Sequence, residues 1–505
     1  MIKNTNPAAS APACRPLDDF IASLQGADLV DRLRSGLIGD GVMIEGPYGP
    51  RPLIYADHVA SGRALRQVEQ FVADHILPFY ANSHTQASYC GGYITRLREA
   101  GRAHIARIVQ AGADCSVIFA GAGATAGVNR IVNLLDIPAA VRRGDRVVVL
   151  VGPYEHHSNL LPWRESGATV HEMPEAATGG PDLAALELAL QDAKGAALVV
   201  GAFSAASNVT GIVTDTDAVT RLLKRYGALA VWDYAGGAPY LPMLMQTAPD
   251  AAKDAIVFSA HKFPGGPAAS GVLICRDTIV RRSTPTISGG GTVSYVTPWD
   301  HLYSPSVTAR EEAGTPNVIG DIRAALVLLI KEAVGTDRIA ARNRDLRAHA
   351  LRVWQANPAL ELLGNPNAAQ VLPIFAFRVR DPQGGIVHHQ LFTRMLSDVT
   401  GIQARGGCAC AGSYAHRLLA LDRAASDQVL ADLTAGLETQ RPGWVRLNLS
   451  YLNADAKTQQ IIHGLDQLAK DAMRFASDYD IDTSNARFSV RPATGTASAE
   501  GVVAR

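Results

Sequence analysis

Between residues 114 and 276, short apolar runs alternate with segments whose apolar positions recur every three or four residues. SVIFA (116–120), RVVVLV (146–151), ALVVGAF (197–203), LAVWD (229–233), AIVFS (255–259) and GVLIC (271–275) predict strands, and 124–135, 183–192 and 216–226 predict helices. The strand runs are apolar throughout rather than alternating. That predicts a sheet covered on both faces, with helical crossovers joining parallel strands. Such an α/β domain holds its ligands at the carboxyl ends of the strands. The texture changes after Pro316: a helical stretch over 318–350, interrupted near Gly335, leads to strands within 371–379 and 444–450. A large domain over 51–330 and a smaller α+β domain over 335–477 follow. Residues 1–50 read as an extension expected to pack with the small domain. Residues 482–505, rich in Ser, Thr, Ala and Gly, read as a disordered tail or an arm on a partner.

Composition narrows the function classes. The 505 residues carry 47 Lys+Arg against 47 Asp+Glu, with 47% hydrophobic and 19% charged residues. A balanced charge argues against a nucleic-acid partner, which calls for a basic surplus. The apolar windows fall short of the ~20 residues of a membrane span, and the first residues lack a basic run followed by an apolar stretch. The six scattered cysteines do not have the spacing of a disulfide framework, so the expected location is a reducing cytoplasm.

Several windows carry chemistry. In SAHKFPGG (259–266), Lys262 follows a buried strand, where apolar surroundings lower an amine's pKa and free it to attack a carbonyl. Taken alone, a surface lysine is the commoner explanation. In VWDYAGG (231–237), Asp233 closes an apolar strand and could pair with a protonated heterocyclic nitrogen, as pyridoxal phosphate (PLP) requires; an N-cap or a metal ligand are the plainer alternatives. An acid at one strand end and a lysine at the next is more specific than either alone. In FAGAGATAG (119–127), glycines open a helix whose N-terminus favours an anion. The spacing is GxGxxxG, and the next strand ends without a ribose-binding acid, so a monophosphate fits better than a dinucleotide. A nicotinamide-dependent oxidoreductase stays open as a rival. In EHHSN (155–159), His156 could stack on a flat ring. A joint metal site with His157 is awkward, because neighbours on an extended segment face opposite ways. RGGCACAGS (405–413) presents Cys408 and Cys410 with His416 nearby, which by spacing is a passive thiol pair on a loop or a weak metal signal.

In this order the windows resemble the class V aminotransferase group of PLP enzymes, closest to cysteine desulfurases and selenocysteine lyases. The resemblance runs from about Tyr55 (YADHVAS) to Asn453. It implies the type I fold of PLP-dependent transferases: a large domain with a mostly parallel seven-stranded sheet that binds the cofactor, and a smaller C-terminal domain. It further implies that Lys262 is the covalently attached lysine, that Asp233 binds the pyridine nitrogen and that His156 stacks on the ring. Ala124, Thr125, Ser259 and His261 would hold the phosphate, and Ala235 would border the cofactor. Asn208 (in SAASNVTG) would lie near the cofactor hydroxyl and substrate, and Arg446 (in WVRLNLSYLN) would clamp the substrate carboxylate. Thr315 (in EAGTPN) would reach the phosphate of a second subunit, which makes a homodimer. Cys410 aligns with the desulfurase nucleophile, so the implied reaction cleaves the C–S bond of cysteine, leaves a persulfide and releases alanine, with a sulfur-acceptor protein as possible partner. The CxC pair is nearer to molybdenum-cofactor sulfurases, and Gly236 stands where the family usually has Gln. A class V aminotransferase, β-lyase, epimerase or decarboxylase with Cys410 idle is the alternative within PLP chemistry, and a catalytically silent binding protein lies outside it.

Overall fold

The computed structural model describes residues 14–83 and 85–491. Its centre is a seven-stranded sheet built from β1 (Cys115–Gly121), β2 (Val147–Val151), β3 (Thr169–Glu172), β4 (Leu198–Ser204), β5 (Leu229–Asp233), β6 (Ala255–Ser259) and β7 (Gly271–Arg276), in the order β1-β7-β6-β5-β4-β2-β3. Only β7 runs antiparallel to its neighbours; the other pairings are parallel. Alternate residues of one strand enter cores on opposite faces: Leu150 packs with Phe203, Trp232 and Phe258, whereas Val149 and Val151 pack with Val200, Val231 and Val257. Both faces being dry is why these strands read as unbroken apolar runs. The edge strand β3 (TVHE), with every second side chain exposed and none fully buried, has no such run and escapes sequence prediction.

The stretch expected over 318–350 is two helices, Val318–Val334 and Thr336–Trp354, separated by Gly335 at φ +86°. The first is buried on nearly every side between the sheet and helix Tyr89–Ile108. The second joins helix Asp455–Lys470 over the small domain's five-stranded antiparallel sheet, whose strands are Leu360–Leu363, Ile374–Arg380, Trp444–Asn448 and Arg405–Gly407, with Ile386–Val387 paired to the end of Ile374–Arg380.

Three boundaries differ from the sequence expectation. The N-terminal extension, expected to pack with the small domain, divides between the two: Asp40 pairs with Lys457 and Tyr48 Oη donates to Asp478 Oδ2 at 2.8 Å on the small domain, whereas residues 17–33 lie on the large one. Leu17, Phe20, Leu24 and Leu33 enter a core with Phe71, Ile94, Leu97, Ile322, Leu326 and Ile330 on the large-domain helices, and contacts such as Arg34 Nε to Leu452 O (2.8 Å) reach onward. Residues 54–55 pair in parallel with 402–403, so the chain enters the small domain before building the large one. The tail is ordered beyond 482: Tyr479–Asp482 and Arg487–Val490 form a hairpin, and the Phe488 ring lies 5.2 Å from the His388 ring. Residues 1–13 and 492–505 lie outside the described residues. Among the described residues no helix is long and apolar enough to cross a membrane.

Candidate active site

Strands β5 and β6 end side by side, which brings Asp233 and Lys262 to one cleft of about 270 Å3. A single 3-10 turn, Ala260–Lys262, carries the lysine off the end of β6. The same cleft is lined by Ala124, Thr125, His156, Asn208, Ala235, Ser259, His261, Cys410 and Arg446. Thr315 is exposed and does not line it.

The phosphate end is a helix N-terminus. Helix Gly123–Leu134 opens there, with Ala124 N–H donating to Ser259 Oγ at 2.9 Å and Thr125 Oγ1 2.6 Å from Ser158 Oγ. Gly123 has φ +61°, and a Cβ on it would lie 2.9 Å from Ser259 Oγ and 3.1 Å from His261 Cε1. The third glycine of the motif, Gly127, serves packing: a Cβ there would meet Val257 Cγ1 at 2.9 Å. Replacing Gly123 with alanine is expected to weaken cofactor retention about tenfold, since the left-handed conformation alone costs an L-residue ~1–2 kcal/mol; equilibrium dialysis of the cofactor measures it, and unchanged retention contradicts this account of the loop.

The middle of the cleft is electrostatically poised. Burial raises the pKa of Asp233, against the pull of Ala235 N–H (2.7 Å) and of Lys262. Among the described residues no ion pair satisfies this acid. Burial lowers Lys262 to about 8; Asp233 pulls it up and Arg446 pushes it down. His156 is lowered to about 3, by burial first and then by Lys262, so it is a neutral ring. Ser158 N–H donates to its Nδ1 at 3.1 Å, which leaves the proton on Nε2.

Arg446 is buried at the far side. Its Nη2 meets Asp57 Oδ1 at 2.7 Å and its Nη1 meets Asn208 O at 3.2 Å, while Nε has no partner among the described residues. Asn208 donates to Ala409 O at 2.9 Å, and its Oδ1 is likewise buried and without a partner among the described residues. A helix N-terminus for an anion, a neutral imidazole, an unpaired buried acid and a depressed lysine fit the phosphate, ring, pyridine nitrogen and aldehyde of PLP.

Sequence reasoning passed over Asp57, Arg405 and Glu155. Asp57 bridges Arg446 and Arg405 (Oδ2 to Nε 2.9 Å). It sits 389 residues from Arg446, so spacing carries no signal of the pair. Glu155 accepts from Ser204 Oγ, Ser204 N–H, Asn159 Nδ2 and Gly152 N–H at 2.6–3.1 Å, and burial pushes it up to about 7 despite those bonds. It ties the loop bearing His156 to the end of β4. At Gly236 a Cβ would lie 3.0 Å from Ala206 O, so the usual Gln would crowd the backbone here. His416 is engaged by Gly412 O (2.8 Å) and Ser426 Oγ (2.9 Å), and among the described residues no cluster could hold a metal ion.

The fold and cleft define a PLP-dependent enzyme of the α/β type I architecture. The family described as Aminotransferase class-V matches residues 54–436, and the chain belongs to it. Among curated relatives, a probable cysteine desulfurase of Pyrococcus abyssi is 30% identical over 381 residues, covering 72% of this chain and 87% of the relative. A probable cysteine desulfurase of Streptomyces coelicolor is 26% identical over 366 residues, covering 71% and 83%. A cysteine desulfurase structure from Thermococcus onnurineus superposes with a TM-score of 0.67 at 22% identity, covering 83% of this chain and 94% of that one. One from Escherichia coli gives 0.62 at 22%, covering 90% and 98%.

Proposed function

We propose that the protein is a cysteine desulfurase that transfers sulfur from cysteine to Cys410 and releases alanine. The observation that carries this reading is the exposed Cys410 lining the same cleft as Lys262 and Arg446. When bound, PLP withdraws electrons from the bonds at the substrate's Cα. Ala124, Thr125, Ser259 and His261 would hold its phosphate, His156 and Asp233 its ring, and Asn208 and Ala235 its margin. Arg446, fixed along one edge by Asp57, would orient the substrate carboxylate with its remaining N–H groups. Lys262 moves the proton at Cα. The Cys410 thiolate attacks the substrate sulfur, so that cysteine and Cys410–SH become alanine and Cys410–S–SH. The balance needs no outside oxidant.

Incubation of the holoenzyme with cysteine is expected to yield alanine and, by peptide mass mapping, one added sulfur on Cys410. Pyruvate with ammonia, or a keto acid with an aminated cofactor, would instead establish a β-lyase or a transaminase. The bound sulfur then passes to an acceptor protein or thiol. Thr315, exposed and away from its own cleft, would serve the cleft of a second copy in a homodimer. Light scattering at about twice the 53.4 kDa chain mass is the expected result.

A further inference from the structure

We propose that His157 is a positioning residue that locks the turn presenting Cys410 to the cleft. The proposal rests on the reading of Cys410 as the sulfur-accepting thiol. Residues 408–411 form a turn closed by Ala411 N–H donating to Cys408 O at 3.2 Å. Its two central residues, Ala409 and Cys410, have φ +53° and +54°. Consecutive left-handed residues mark the type of turn that ordinarily takes Gly, Asn or Asp at these places. Neither position has such a residue here, so the surroundings must impose the conformation.

His157 supplies two of the bonds that do so. Its main-chain N–H donates to Cys410 O at 2.8 Å, and its Nε2 accepts from Gly412 N–H at 3.0 Å. From the other side Asn208 Nδ2 donates to Ala409 O at 2.9 Å. Because Gly412 donates, Nε2 is the bare nitrogen of a neutral ring, and burial together with Arg164 keeps the imidazole below its ordinary range. The fit is close: a Cβ on Gly412 would lie 3.0 Å from that nitrogen. The preceding residue, His156, lines the cleft. One dipeptide thus addresses the ring position with its first imidazole and the thiol's turn with its second.

The test compares H157A, H157Q, A409G and the H157A/A409G double variant as holoenzymes. Readouts are the cofactor's visible band, KM for cysteine and the rate at which Cys410 gains sulfur. H157A is expected to slow sulfur gain about 10- to 100-fold, as for a modest misplacement of a reacting group, with band and KM unchanged. H157Q is expected to keep most of the rate, because its Oε1 can accept from Gly412 N–H. Glycine at 409 tolerates the left-handed conformation, so the double variant should lose less than H157A. The proposal is overturned if H157A keeps the wild-type rate, or if H157Q falls as far as H157A without rescue by A409G. Should H157A not fold, the H157Q and A409G rates decide. C410S separates the two readings: if it still releases alanine at the wild-type rate, the thiol assignment fails whatever His157 does.

Discussion

Lys262→Ala is expected to abolish the shift of the cofactor's visible band that covalent attachment produces, and to slow alanine release roughly 100- to 10,000-fold, the usual worth of a positioned acid–base group. The lysine stands at the end of β6 with Asp233 opposite, and among the described residues no other lysine lines the cleft. Reduction with borohydride followed by peptide mapping should find the adduct on this residue in the wild type and nowhere in the variant. The amine's acidity gives a pH test. Lysine is ordinarily charged up to about 10.5, and here burial brings the value to about 8. The neutral fraction able to attack an aldehyde therefore rises as pH increases toward 8 and levels off above it. At pH 7 that fraction exceeds that of an ordinary lysine by about two orders of magnitude. The rate at which apoprotein takes up PLP covalently should follow this curve; a rate still climbing steeply above pH 9 would contradict the depressed amine.

The second large effect is expected from Cys410→Ala. Alanine release from cysteine should drop to background while the visible band and its response to added cysteine persist, because Lys262, Asp233 and the phosphate loop are untouched. Cys408→Ala should leave the cleft's own thiol in place and so be far milder. Full alanine release in Cys410→Ala would mean that another thiol takes up the sulfur, whereas pyruvate and ammonia appearing with free sulfide would move the chemistry to a β-lyase route.

Much of the large domain is legible from local pattern. A central parallel strand dry on both faces cannot hide its apolar run, so 229–233 and 255–259 are predicted to the residue. The edge strand Thr169–Glu172 and the Arg487–Val490 hairpin strand, each with exposed side chains, have no such run. The extension at 15–35 is amphipathic, but periodicity names a buried face without naming what covers it, and the large-domain helices prove to be the cover.

The cofactor machinery is readable because each piece hangs on the end of a strand or the start of a helix, where a short motif dictates the backbone: the glycines before 124, the acid at 233, the amine at 262. Resemblance to a family adds roles to those positions. What waits for the folded chain is every relation between distant segments: Asp57 holding Arg446, Glu155 tying the His156 loop to β4, and His157 gripping the cysteine turn. Those depend on pairs from 49 to several hundred residues apart, and a bond of about 3 Å between them is set by how strands pack within the large domain or how the two domains meet, which no local run of residues encodes.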